Sequence, residues 1–263
     1  MLMQLIGFAI TGVLAGTLAG LLGIGGGLVT IPCLLFIFSR ADIAPSMLMH
    51  LAIGTSLSAM VFNTLSASYS HKRKKGVLFA AVKPMLLGIA VGALLGVTIA
   101  RMLSSQFLEI LFGAFECLVG IRFLIPKKEH YVDTANLPPF WALSGIGFGV
   151  ATFSTMLGIG GGILNVPILH HFKVPLKKAI GTASALSFCI TTFGAIYYLF
   201  LGFNAPETSY SMGYIYLPAF FLVAVFALCF APLGVKLAHR LPAGVLKKIF
   251  GVALVVIGLS MIL

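Results

Sequence analysis

The sequence predicts an all-α polytopic membrane protein made of two inverted-topology repeats, each of about five helical segments that include a glycine-broken half-helix. Three observations lead there: an apolar composition, sequence blocks written twice in the same order, and basic residues confined to alternate loops. Of 263 residues, 60% are hydrophobic and 9% are charged, against about a quarter charged in soluble domains. Apolar runs of roughly 18–25 residues recur, the length at which a helix crosses a hydrocarbon core of about 30 Å. The alternating pattern of a membrane β-barrel is absent.

Taken in order, the apolar runs place spans near 3–22, 46–70, 77–100 and 106–126, with a short piece at 27–38 after the first. The opening "MLMQLIGFAI" has no cationic leader and no small-residue cleavage site, so the first run is read as a retained helix. After the polar stretch "PKKEHYVDTANLPP" the rhythm returns at 138–157, a short piece at 162–172, then 177–201, 214–237 and 245–263. The two series match in wording as well. "LLGIGGGLVTIP" (21–32) answers "MLGIGGGILNVP" (156–167), and "AIGTS" (52–56) answers "AIGTA" (179–183). "LLGVTIARML" (94–103) answers "PLGVKLAHRL" (232–241), and "LFGAFECLVG" (111–120) answers "IFGVALVVIG" (249–258). Four blocks in one order make an internal repeat, with repeats at 1–126 and 139–263 joined by a cytoplasmic linker at 127–138.

Basic residues orient the repeats. With "HKRKK" (71–75) in the cytoplasm and each short glycine-led piece counted as one return leg, 15 of the 17 Lys and Arg fall inside, and Arg40 and Arg101 fall outside. That is the positive-inside bias. Five legs per half then give the halves opposite orientation, with both termini outside. Were the short pieces tails of the preceding helices, the halves would be parallel, which the nearly uncharged loop 101–105 disfavours. The net charge of +11 thus reports orientation and contact with anionic lipid, and no nucleic-acid partner is expected.

Backbone can break at membrane depth only where protein or a cavity surrounds it. Gly23, Gly25, Gly26 and Gly27, with Gly158, Gly160, Gly161 and Gly162, therefore mark two buried turns, each opening a half-helix whose free N–H groups and positive dipole end suit an anion. In inverted halves these ends converge on one site. Neutral polar side chains nearby, Thr30 and Asn165 at matched positions, then Thr55, Ser56, Thr182 and Ser184, can complete the hydrogen bonds of an oxyanion. The competing assignments are close helix packing by the glycines and hydroxyls bonded to the carbonyl four residues back in their own helix. Pro32 and Pro167 would keep the first turn of each half-helix irregular. Neither glycine run fits a dinucleotide or phosphate loop, for want of the last glycine or of Gly-Lys-Ser/Thr.

Glu116 falls mid-span, where a carboxylate is expensive, and its repeat counterpart is Leu254. It either pairs with a neighbouring helix or carries a proton. His50 opens a span, and His170 and His171, just before Lys173, sit at the cytoplasmic headgroup boundary. Cys33, Cys117, Cys189 and Cys229 lie in apolar runs without metal-ligand spacing and read as small buried hydrophobes. No catalytic constellation, metal cluster or cofactor motif is recognisable, so no enzyme activity, metal or cofactor is expected.

With its doubled "LGIGGG…P" motif, paired "AIGT" blocks and inverted halves, the chain resembles the TauE/SafE family of membrane proteins over essentially its whole length. The resemblance implies a multi-pass carrier in the plasma (inner) membrane of a prokaryote that exports sulfite or a small organosulfonate anion through a site between the halves. It carries over to Gly23 through Gly27 with Pro32, Gly158 through Gly162 with Pro167, and Gly54–Thr55 with Gly181–Thr182. Thr30 opposite Asn165 makes the two half-sites chemically unequal. A channel or permease for another small anion, working inward, is the alternative, and association into a homo-oligomer stays open.

The charge pattern is testable by adding single cysteines to a cysteine-free protein. Positions 73 and 240 should resist an impermeant thiol reagent applied from outside, and position 206 should react. External labelling of 73 and 240 would reverse the assignment.

Overall fold

The computed structural model describes residues 2–22, 25–41, 43–125, 136–203, 210–238 and 243–263. Among them the first half of the chain forms α1 (Leu2–Leu22), the short α2 (Gly27–Phe38), a single 3-10 turn (Pro45–Met47), α3 (Leu48–Arg73), α4 (Phe79–Met102) and α5 (Ser105–Leu124). The second half repeats the order with α6 (Phe140–Leu157), the short α7 (Gly162–His171), α8 (Leu176–Leu201), α9 (Leu217–Ala238) and α10 (Ala243–Ile262). Six helices among the described residues are long and apolar enough to cross a membrane. The chain is a polytopic all-α membrane protein.

The element boundaries follow local chemistry. The Ser104 hydroxyl caps α5 by accepting from the Phe107 N–H at 3.2 Å, satisfying one of the open amides of the first turn. Proline precedes α6 (Pro139) and α8 (Pro175) at the cap, and Pro218 is the second residue of α9, positions where its missing N–H costs nothing. Two expectations needed correction. Pro32 and Pro167 lie inside continuous helices, each in the second turn, so the half-helices are regular and only the carbonyls of Leu28 and Ile163 lose an N–H partner. The span expected from 214 starts at Leu217, because residues 211–216 fold into a hairpin, with β1 (Ser211–Met212) antiparallel to β2 (Ile215–Tyr216). Gly213, at φ 58°, makes its turn.

Small residues set the helix packing. In α4, Gly88, Gly92 and Gly96 face the backbone of Ser144, Phe148 and Thr152 of α6 in the same order, so the two helices run parallel at the close range that a small-xxx-small stripe permits. In α1, Gly12 and Gly16 likewise meet Val223 and Ala227 of α9. The other two pairings run the opposite way. In α5 and α10, Gly113 abuts Gly258 while Gly120 abuts Gly251. Leu57 of α3 faces Gly194 of α8, and further along His71 faces Gly181. The buried core lies around α2, α3 and α8, whereas α1, α4, α9 and α10 turn Ile6, Leu87, Phe221 and Val256 outward. That outward apolar surface suits lipid. Of the cysteines, Cys229 is exposed on α9 and the other three are half-buried, so their expected full burial is not found.

The glycine stripe predicts an asymmetric response. Gly92→Val drives a side chain into the Phe148 carbonyl and should destabilise the detergent-solubilised protein by at least about 1–3 kcal/mol. Gly149→Val, where a Cβ meets nothing within 4 Å, should leave its thermal denaturation unchanged.

Candidate functional site

The two glycine turns meet inside the protein. Gly25 and Gly26 have φ of 88° and 85°, and Gly158, Gly160 and Gly161 have φ of 72°, 65° and 76°, backbone that side-chain-bearing residues rarely adopt. A Cβ on Gly27 would stand 2.7 Å from the Gly158 carbonyl oxygen and 3.1 Å from the Ile159 Cα. One turn therefore touches the other. The Val29 and Thr30 amides already bond to the Gly26 carbonyl, and those of Leu164 and Asn165 to the Gly161 carbonyl. The amides ahead of them, on Gly27, Leu28, Gly162 and Ile163, belong to the open first turn of each half-helix.

Met60 of α3 fills the space between the turns. Its Cε lies 2.8 Å from the place of a Cβ on Gly25 and 2.6 Å from that on Gly160, and its Sδ lies 3.0 Å from that on Gly27. Below it, a cavity of about 550 Å³ opens between α1, α3, α8 and α9. Gly25, Asn63, Thr64 and Ser187 line its inner part, Ser184 its wall, and His71, Lys74 and Lys236 its basic outer part. Among the described residues no carboxylate lines it. Thr64 and Thr191, each nine residues beyond the threonine of an "AIGT" block, bring their hydroxyl oxygens to 3.1 Å of one another. A small anion entering this funnel meets cations first and neutral hydrogen-bonding groups after them.

The residues singled out from the sequence divide into three groups. Gly25 and Ser184 line the cavity, although the Ser184 hydroxyl donates to the Ile180 carbonyl at 3.0 Å. Gly26, Gly27, Gly158, Gly160, Gly161 and Gly162 form the turns and the helix starts that follow them, while Gly23 lies outside the described residues, as does the 127–135 part of the linker. The Ser56 hydroxyl donates to the Gly158 carbonyl at 3.3 Å and ties α3 to the second turn. Thr30 is bonded within its own helix, to the Gly26 carbonyl at 3.1 Å. Thr55 and Thr182 are placed elsewhere, at the two ends of the α3–α8 pair. The Tyr216 N–H donates to the Thr55 hydroxyl and the Leu78 N–H donates to the Thr182 hydroxyl, both at 2.9 Å. Gly54 and Gly181 clear room for the same incoming segments, at Tyr214 and Gly76. The "AIGT" blocks thus pin the entry segments of α9 and α4.

Asn165 is different: it is fully buried, and among the described residues neither its Oδ1 nor its Nδ2 has a partner. Four side chains that the sequence did not single out share this condition among the described residues. Ser154 Oγ, Ser187 Oγ and Thr192 Oγ1 are buried without partners, and so is Asn63 Oδ1. Buried polar atoms left unpaired are rare and costly; of these, Ser154 and Asn165 border Gly161 of the second turn, and Asn63 and Ser187 line the cavity. The only available sequence signal was spacing, since Ser154 lies four residues before the GIGGG turn and Ser187 five residues beyond Thr182. Glu116 is also fully buried with both oxygens unpaired, but it belongs to α5, outside the lining of the cavity. His50 is committed to packing, with Nε2 at 3.0 Å from the Ala100 carbonyl oxygen and its ring stacked on Tyr214.

Broken helices meeting at the inner end of a basic-mouthed cavity, in a bundle with a lipid-facing apolar exterior, define a membrane transporter. The sequence model of the family described as sulfite exporter TauE/SafE matches residues 8–261, and the chain belongs to that family. A Haemophilus influenzae protein named as a probable membrane transporter is 32% identical over 97% of this chain and 96% of its own. A counterpart so named in Methanocaldococcus jannaschii is 29% identical over 97% and 94%, and one in Bacillus subtilis is 26% identical over 76% and 80%. No solved structure matches the chain.

Because Thr55 and Thr182 hold backbone amides, Thr55→Val and Thr182→Val should each lower the denaturation free energy by about 1–3 kcal/mol. Transport per folded molecule should persist. Lost transport at undiminished stability would return both hydroxyls to the anion.

Proposed function

We propose that the protein exports sulfite or a small organosulfonate anion through a site between its two halves, in the plasma (inner) membrane of a prokaryote. The observation that carries this reading is the meeting of two positive-φ glycine turns at the inner end of a cavity with cationic residues at its mouth. Half-helix N-termini attract negative charge, and the hydroxyls and amides beyond the cations can receive an anion without a buried countercharge. Antiparallel contact between α3 and α8, and between α5 and α10, supports treating residues 1–126 and 139–263 as inverted repeats, since segments in equivalent places then point in opposite directions. With the His71–Lys75 end in the cytoplasm, the cavity faces inward, as an exporter awaiting substrate requires. Met60 closes the way beyond. The family's description as sulfite exporters favours sulfur oxyanions over other small anions.

Export of an anion runs with the membrane potential, which contributes about 2.3 kcal/mol per charge per 100 mV. Sulfite efflux from proteoliposomes should therefore accelerate under an inside-negative potential without a pH or sodium gradient, and Glu116→Gln should retain most of it. Efflux indifferent to potential, driven by a proton gradient and lost in Glu116→Gln, would overturn uncoupled export and make Glu116 a proton carrier. Acetate and sulfate competing as well as sulfite would point to a general anion permease.

A further inference from the structure

The second turn carries a group of neutral atoms with nothing to bond. A Cβ on Gly161 would lie 3.1 Å from Ser154 Oγ and 3.3 Å from Asn165 Nδ2, so both atoms border the small space that the missing side chain leaves. Neither Asn165 nor Ser154 exposes any surface, and Ser154 Oγ, Asn165 Nδ2 and Asn165 Oδ1 are all unpartnered. They stand at the start of α7, where the first intrahelical bonds run from the Leu164 and Asn165 amides to the Gly161 carbonyl. Among the described residues the first turn has no such feature. Thr30, in the place of Asn165, spends its hydroxyl on the Gly26 carbonyl, and Ala19 stands where the second half has Ser154.

Asparagine at this point offers one donor and one acceptor side by side. A fully ionised oxyanion can use the donor but leaves the acceptor facing like charge. A monoprotonated oxyanion uses both, its O–H donating to Oδ1 and its charged oxygen accepting from Nδ2, with the Ser154 hydroxyl as a further donor. The three atoms nearest to a Cβ on Gly161 belong to Ile190, Ser154 and Asn165, none of them charged, and burying two negative charges among neutral groups costs far more than burying one. We propose that the pocket formed by Asn165, Ser154 and the start of α7 binds the singly charged, protonated form of an oxyanion, hydrogen sulfite if the proposed export holds, and excludes the dianion.

The pH response then belongs to the ligand. On α7, His170 Nδ1 is at 3.3 Å from the Val174 carbonyl oxygen and His171 is at the far end of the helix. On α8, which packs against α7, the Tyr197 and Tyr198 hydroxyls donate to the Ala90 and Thr155 carbonyls. Lys177 and Lys178 sit in its first turn, and Cys189 is half-buried.

The inference rests on the export reading, and one set of flux measurements separates the two. In proteoliposomes at fixed total sulfite, efflux above the leak of empty vesicles should fall as pH rises through the range where hydrogen sulfite loses its proton, and each sulfite should carry one charge. Methanesulfonate, a monoanion without an O–H, should compete about tenfold less well, and sulfate hardly at all. Asn165→Thr, whose hydroxyl can turn back to the Gly161 carbonyl as Thr30 does to Gly26, should lose about tenfold in sulfite efflux and lose the preference over methanesulfonate. Ser154→Ala should reduce efflux as well. Both variants should melt no lower than the parent, because an orphaned buried polar group has been removed in each, and that separates a binding role from a structural one. Efflux that rises with pH, two charges per sulfite, or unchanged selectivity in Asn165→Thr would overturn the inference and leave export standing. Absence of sulfite flux at every pH would overturn the inference, and absence of methanesulfonate flux as well would overturn the export reading.

Discussion

A peptide group with no partner cannot lie against hydrocarbon, and this single restriction orders the rest of the molecule. Two interruptions, at Gly25–Gly26 and at Gly158–Gly161, break the helical ladder inside the protein. Each must be walled by protein, and the fold supplies that wall by bringing the two together, one turn against the other, with α3 and α8 alongside. Glycine meets the restriction twice over. It permits the positive φ of the turns, and it lets the Gly158 carbonyl approach Gly27 with no side chain between them.

The same residue type does different work in the surrounding shell. Along α4 and α1 the glycines are spaced four apart and bring helices from opposite halves of the chain into backbone contact. Such pairing depends on close fit, since lipid is as apolar as any leucine and offers no hydrophobic drive between helices. The result clasps α1 to α9 and α4 to α6, and the cavity opens beside the first of these pairs, against α3 and α8. The exterior is apolar and most of the buried polar side chains face inward from α3 and α8, the inverse of a soluble protein.

Approximate duplication does not make the two half-sites equal. Thr30 is satisfied within its own helix while Asn165 is not, and Met60 of α3 occupies the space between the turns while Ser187 of α8 lines the cavity. The open hydrogen-bonding groups near the turns and cavity are likewise unevenly shared, Asn63 of the first half against Ser154, Asn165 and Ser187 of the second. Glu116 opposite Leu254 in the repeat is a further departure, and it lies in α5, away from the cavity lining.

Much of the secondary structure is written in the sequence by itself. A bilayer imposes one length on a crossing helix and one penalty on charge, so apolar runs bounded by glycine, proline and basic residues placed α2 at its observed Gly27–Phe38 and most other helix ends within two or three residues. The doubled glycine turn was legible for a similar reason, since positive φ has few alternatives to glycine. What the sequence left undecided is which polar side chains are free. Thr30, Thr55, Thr182 and Asn165 look alike as neutral hydrogen-bonding residues near a turn, yet one is bonded four residues back, two hold amides 104 and 161 residues away, and one has no partner. The distant partners come from segments far along the chain, and Met60 reaches the turns, and Ser187 the cavity, only through helix packing. Availability for a ligand is a property of what the fold leaves unpaired, so only the tertiary structure could decide it.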